Sequence, residues 1–169
     1  MLPVLVALLG GIIQFGVIFW AQNTLTQVAR DTGRWAATQV TSCTASPTAS
    51  PWSTAQANVL TQAQNSASQS SLIGYPPSVG WNLYAYPMAA STTEGVAVAY
   101  TDATSGTPST DKCPPPDNQQ IWFVTVQINH SVPIFFPGLQ YLPGLGTCSG
   151  GSCNVVLSST AQFRMEPEP

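Results

Sequence analysis

The chain of 169 residues is long enough for one domain with an extension, and too short for two domains that each have a substantial core. Charged residues make up only 7% of it, against about 25% in an average soluble domain, and the net charge is -3. Because the four bases are scattered, they form no basic surface for nucleic acid, and the low charge is not typical of a cytosolic protein.

A charge-free apolar segment opens the chain. The range Met1–Ala29 has no ionisable side chain, and within Leu2–Ala21 the only strongly polar side chain is that of Gln14. At about 1.5 Å per residue, a helix of that length spans a hydrocarbon core of about 30 Å. A secretory signal peptide would have a basic start and a shorter apolar part. Good helix formers follow without proline, so we predict one helix from Pro3 to about Val40, longer than a membrane requires.

Small and polar residues along this helix mark positions where other helices could approach. The small ones are Gly10, Gly11, Gly16 and Gly33, although glycine is also common in plain membrane anchors. Gln14 is expected to hydrogen-bond either to a neighbouring helix or to its own helix backbone, and the sequence leaves both open. Arg30 and Arg34 flank Asp31 and could pair with a neighbour's acid or lie on a solvated surface.

The four cysteines predict two disulfides in an oxidising compartment. Cys148 and Cys153 bracket a Ser-Gly-Gly-Ser tip and are expected to pair, which leaves Cys43 to pair with Cys113. The arginines that follow the apolar segment would, taken alone, place the large domain in the cytoplasm. We resolve this conflict with the expectation that a basic leader has been removed and that the domain is extracytoplasmic.

The remainder predicts a short helix followed by a sheet. A capping-box spacing at Ser53 and apolar residues at helical intervals indicate a helix near residues 53–68. Alternating patterns then predict four strands, at Trp81–Tyr86, Val96–Thr101, Ile121–Val132 and Val155–Met165. One apolar and one polar face per strand is typical of a half-buried antiparallel sheet. The predicted fold class is α+β, with a hydrophobic assembly or transmembrane helix at 1–41 and a β-rich extracytoplasmic domain at 42–169.

The sequence contains no recognisable catalytic constellation. His130 is the only imidazole, and it falls on the apolar face of the third predicted strand, which indicates a core residue rather than a general base. Phosphate-binding loops, zinc-ligand spacings and paired carboxylates do not occur in the sequence. We therefore expect no enzymatic activity, no cofactor and no metal. Stacking of sugars on four aromatic residues remains an adhesive alternative, although core or inter-subunit packing is favoured for Trp81, Tyr84, Tyr86 and Tyr100.

The stretch Ile134–Leu145 is too apolar to stay in water as a contiguous surface. We expect it to pack on the upper part of the long helix or on the next subunit. A local mini-core under the Cys148–Cys153 hairpin is the alternative. The candidate interface residues are Phe135, Phe136, Leu139, Tyr141 and Leu142.

Two local segments of the chain have recognisable sequence patterns. The first contains Gln14-Phe15-Gly16 and the segment Ala29-Arg30-Asp31-Thr32-Gly33-Arg34-Trp35-Ala36. The second is VTVQINHSVPIFFPGL followed by VVLSSTAQFRME. Both segments resemble the TadE-like pilins and pseudopilins of the tight-adherence branch of type IV pili. A prepilin peptidase site and a Glu near the mature N-terminus, both usual in the family, are absent, so the sequence starts inside the mature protein or is processed differently.

The resemblance implies a non-catalytic structural subunit of an extracellular pilus-like filament, a homopolymer of the kind used in cell adhesion. Its helix would lie in the membrane before assembly and in the filament core afterwards. The implied partners are copies of itself, the membrane and the pilus assembly machinery, without nucleic acid. The assembly residues would be Gly10, Gly11, Gln14, Phe15, Gly16, Arg30, Gly33, Arg34 and Trp35. The alternatives are a minor pseudopilin and a single-pass membrane-anchored binding or adhesion protein.

Overall fold

The structure is a computed structural model that describes residues 2–38, 50–74, 80–89, 94–102, 121–136, 147–149 and 152–165. Two helices precede the sheet: α1 (Leu2–Thr38) and α2 (Ser50–Gln69). Both agree with the predicted helices to within a few residues. Within α1, the hydroxyls of Thr24 and Thr26 donate to the carbonyls four residues earlier, so these polar side chains are satisfied inside the helix.

Within the described residues, the sheet contains five strands in the order β1-β2-β3-β5-β4. They are β1 (Asn82–Tyr84), β2 (Gly95–Asp102), β3 (Trp122–Pro133), β4 (Thr147–Ser149) and β5 (Ser152–Arg164). The α+β class is confirmed. The sheet is mixed rather than wholly antiparallel, because β1 pairs in parallel with β2. The sequence missed β4, since three residues are too few to show a period of two.

Both helices contribute to one hydrophobic core on a single face of the sheet. Ala21 and Leu25 of α1 and Val59 of α2 are fully buried there, together with alternate residues of β2, β3 and β5. Val126 of β3 is paired with Ala161 of β5, which brings core residues of both strands under α1. The small side chains along α1 allow its backbone to lie close to the sheet.

The opposite face of β3 is also buried in its middle, which corrects the prediction of a half-buried sheet. Gln127 forms two hydrogen bonds with the backbone of Met88, at 2.7 and 3.0 Å. Asn129 donates to the carbonyl of Ala89 at 3.0 Å. Because these amides satisfy the backbone of the segment before β2, polar residues that predicted a solvated face are buried.

Candidate assembly surface on the N-terminal helix

Helix α1 has two contrasting sides. The side toward the sheet is buried from Gly10 onward, and its buried residues are Gly10, Gln14, Ala21, Thr24, Leu25, Val28, Ala29, Thr32, Gly33 and Ala36. The other side carries exposed large apolar side chains: Val4, Leu5, Val6, Leu8, Leu9, Ile12, Ile13, Phe15, Phe19 and Trp20. By length and composition, Val4–Thr38 could cross a membrane. We call this second side the exposed apolar face; it is the candidate functional surface.

Gln14 is buried and connects α1 to the end of β3. Its side-chain amide donates to the carbonyl of Pro133 at 3.3 Å, and its side-chain oxygen accepts from the N–H of Phe135 at 2.9 Å. Both partners belong to the same chain, about 120 positions away. In the isolated chain Gln14 therefore bonds to the end of β3 rather than to its own helix backbone, and a bond to a neighbouring helix stays a prediction. Gln14 fixes where the domain sits along α1.

The four glycines of α1 divide into two pairs. A side chain on Gly10 would overlap the ring of Phe136, and a Cβ on Gly33 would lie 2.8 Å from the ring of Phe163. These two glycines therefore allow aromatic rings of the same chain to lie on the helix. A Cβ on Gly11 or Gly16 would meet nothing within 4 Å. Of the four, only Gly11 and Gly16 leave open space beside α1.

The other predicted assembly residues are spread around the helix. Phe15 belongs to the exposed apolar face. Arg30 and Arg34 are exposed, so a solvated role and a pairing with a neighbour's acid both stay open. Trp35 is half-buried and packs against the core. Only some of the predicted assembly residues therefore lie on the exposed apolar face of α1.

Sequence reasoning missed a second amide contact. Gln22 donates to the carbonyl of Ser158 in β5 at 3.2 Å, eight positions beyond Gln14 on the helix. The signal was present, because glutamines such as Gln14 and Gln22 within a mostly apolar helix need polar partners. Their partners could not be read from the sequence, since all are backbone groups distant along the chain.

The apolar stretch after β3 contacts α1 through its first residues. Phe136 lies on Gly10, near the N-terminal end of α1 rather than the upper part expected, and Phe135 is 67% exposed. The position differs because β3 runs opposite to α1, so its end lies beside the start of the helix. Leu139, Tyr141 and Leu142 lie outside the described residues, so the interface loop as a whole stays a prediction.

Comparison with protein-family models finds a match at the start of this chain. Residues 1–34 match the family model of the TadE-like protein. The matched segment is most of α1, including Gln14 and the four glycines, and it agrees with the resemblance drawn from the sequence. It indicates a pilus-associated protein with an N-terminal membrane-type helix. No curated protein and no solved structure matches the chain.

All four cysteines lie beyond the TadE-like segment, so the family match gives no information on how they pair. Cys153 is disulfide-bonded, and Cys148 is its register partner across β4 and β5. The side chains of Cys43, Cys113 and Cys148 lie outside the described residues. Both predicted pairings therefore stay predictions.

His130 lies beyond the TadE-like segment, in the core, as its strand position predicted. It is fully buried, with Nδ1 2.9 Å from a carboxylate oxygen of Glu94 and Nε2 2.7 Å from the carbonyl of Ile73. The ring joins β3 to the turn after α2 and to the residue before β2. Its position between two oxygens serves to hold these elements together.

The aromatic residues considered for sugar stacking do not form one platform. Trp81 and Tyr100 are buried, which rules out the proposed stacking for these two. Burial raises the pKa of Tyr100 to about 12. Tyr84 is exposed and Tyr86 is half-buried. Core packing, the favoured interpretation, holds for the two buried residues.

Proposed function

We propose that this chain is a non-catalytic structural subunit of an extracellular pilus-like filament and that it polymerises through α1. The observation that carries the proposal is the exposed apolar face. Its large side chains between Val4 and Trp20 are each at least 45% exposed in the isolated chain. Burial of one such side chain contributes about 1.5–3 kcal/mol, so this face favours lipid or other helices over water.

The proposal assigns different tasks to the two parts of the chain. Residues 1–41 would hold the subunit in the membrane before assembly and form the filament core afterwards. Residues 42–169 would form the extracytoplasmic domain on the outside. The pilus assembly machinery would move the helix from one environment to the other, and the TadE-like match over residues 1–34 supports that association.

Two glycines support contact between copies of α1. Gly11 and Gly16 have open space beside them, so they are free to receive a neighbouring helix. Small residues at such positions allow two helix backbones to approach closely. The surrounding face carries no charged side chain, so association would depend on shape and would resist high salt.

The substitution Gly16→Leu tests this proposal. A side chain at Gly16 meets nothing within the chain, so the subunit is expected to fold and enter the membrane normally. Close helix approach would be blocked, and we expect filaments to disappear in negative-stain micrographs of cells that still contain the protein. Gly16→Ala is the matched control and should retain filaments. Unchanged filaments in Gly16→Leu would contradict polymerisation through this side of α1.

The alternative is a single-pass anchor that carries a binding or adhesion domain. It is favoured by one observation, since the length and composition of α1 suit a membrane span without any assembly. An anchored protein would stay monomeric after mild detergent extraction and would show no surface filaments. A minor pseudopilin would instead appear at few positions in filaments built from another subunit, which immunogold labelling distinguishes from a homopolymer.

A further inference from the structure

The residues that follow β3 are fixed beside the membrane-type part of α1. We call residues 134–136 the β3 tip. Phe136 lies on Gly10, and Gln14 binds the backbone of Phe135 and of Pro133, the last residue of β3. These contacts lie well inside the apolar range Leu2–Ala21. The domain therefore begins partway along the segment that a membrane would surround.

The thickness of the bilayer core determines whether lipid reaches the β3 tip. The apolar range Leu2–Ala21 extends about 30 Å as a helix, and Gly10 and Gln14 lie in its middle part. A hydrocarbon core is also about 30 Å thick. Hydrocarbon that surrounds this range therefore surrounds the helix at Gly10 and Gln14. If the domain contacts of these two residues stay intact, the hydrocarbon must also reach the β3 tip.

We propose that the β3 tip is immersed in the hydrocarbon of the lipid bilayer, together with the first half of α1, while the subunit awaits assembly. This inference rests on the part of the proposed function that places α1 in a membrane. It adds that the domain itself enters the bilayer at one end. The occupant around Phe135 is then acyl chain, rather than water or headgroup.

The chemistry of the tip suits hydrocarbon. Phe135 projects an exposed ring, and its N–H is bound to Gln14. The N–H of Ile134 donates to the carbonyl of Cys153 at 2.8 Å, and Pro133 has no N–H to satisfy. Backbone groups in a bilayer need such internal partners. Releasing α1 from the domain inside lipid would leave the Gln14 amide and two backbone groups without them.

Ionisable side chains are also scarce in the described parts of β3 and β5 that meet at this end of the sheet. Residues 121–136 contain one ionisable side chain, the buried His130, and residues 152–163 contain none. The ionisable partner of His130 is Glu94, which lies before β2 and not at the tip. Immersion of residues 134–136 therefore requires no charge to leave water.

Photo-crosslinking of the full chain in vesicles of phosphatidylcholine and phosphatidylglycerol tests this inference. We would place p-benzoylphenylalanine at Phe135, at Ile12 on the exposed apolar face, and at Ile121. Ile121 is an exposed apolar residue just before β3, roughly 40 Å of strand from the tip. All three replace exposed side chains, so folding should be preserved. We expect acyl-chain adducts from positions 135 and 12, at least tenfold above those from position 121.

The outcomes separate this inference from the proposed function. If position 12 labels lipid and position 135 does not exceed position 121, the tip stays outside the bilayer and the inference is wrong, while the membrane helix stands. If position 12 also fails to label lipid, the membrane premise fails for both. If position 135 crosslinks only to another copy of the chain, the tip is a subunit contact and immersion is refuted.

Discussion

The ring of Phe163 in β5 lies directly over Gly33 of α1. A Cβ at Gly33 would come within 2.8 Å of ring carbon Cδ2 and 2.9 Å of Cε2. This glycine lies inside the TadE-like segment, where the resemblance implied a role in assembly between helices. The structure gives it a different function, because the ring of the same chain occupies the space that the missing side chain leaves.

Two matched substitutions separate the glycines that support the fold from those that face outward. Gly33→Leu would force Phe163 and the helix apart, and overpacking of this kind costs about 1–3 kcal/mol. Gly16→Leu adds a side chain in open space and gains up to about 0.8 kcal/mol in helix propensity. Urea unfolding in detergent should show a lower free energy of unfolding for Gly33→Leu but not for Gly16→Leu. Adding Phe163→Ala to Gly33→Leu should recover part of the lost free energy. If the double variant recovers none, the contact between Phe163 and Gly33 is contradicted.

Removal of the Gln14 amide should loosen the domain from α1. In Gln14→Leu, the carbonyl of Pro133 and the N–H of Phe135 both lose their partner. An unsatisfied buried polar group costs about 1–3 kcal/mol, so we expect the free energy of unfolding to fall by at least that amount. The comparison variant is Gln22→Leu, which removes a single bond from a half-buried side chain. An equal fall in the free energy of unfolding in both variants would show that the two hydrogen bonds of Gln14 stabilise the fold no more than the single bond of Gln22 does.

The accuracy of the sequence interpretation depended on the range of each interaction. The helices and longer strands were predictable because a period of 3.6 or 2 is a local property of the chain. The partners of Gln14, Gly10 and Gly33 were not predictable, since each contact joins α1 to residues more than 100 positions away. Glycine and glutamine in an apolar helix indicate that something must lie against them. They do not tell whether it comes from the same chain.

The disulfides should contribute unequally to stability. If Cys43 pairs with Cys113, the bond closes a loop of about 70 residues and contributes roughly 4 kcal/mol in the chain-entropy account, against roughly 2 for Cys148 with Cys153. Cys43→Ser should therefore lower the melting temperature more than Cys153→Ser does. Peptide mapping without reduction identifies the pairs, and free thiols or a different connectivity would contradict this prediction.

The buried imidazole should be important for stability although it has no catalytic role. His130→Phe preserves the ring volume but leaves the carbonyl of Ile73 and the carboxylate of Glu94 without their contact. We expect unfolding to become easier by about 1–3 kcal/mol. Glu94→Gln should cost less, because the side chain of Glu94 is partly exposed and water can replace the contact. Chemical denaturation of both variants beside the parent chain measures the difference, and an inverted order would contradict this role.

Tyr100 should make the fold sensitive to alkali. Burial raises the pKa of its phenol from 10.0 to about 12. Below pH 10 both the folded and unfolded chains keep the proton, so the group has no effect on pH dependence there. Between pH 10 and 12 the unfolded chain loses the proton while the folded chain retains it. The unfolded state then binds fewer protons, and the free energy of unfolding falls as pH rises, by about 2–3 kcal/mol in total. Tyr100→Phe should flatten this slope whatever its effect at neutral pH. Urea titrations at pH 9, 10, 11 and 12 in detergent provide the measurement, and an unaltered slope in Tyr100→Phe would assign the alkaline loss to other groups.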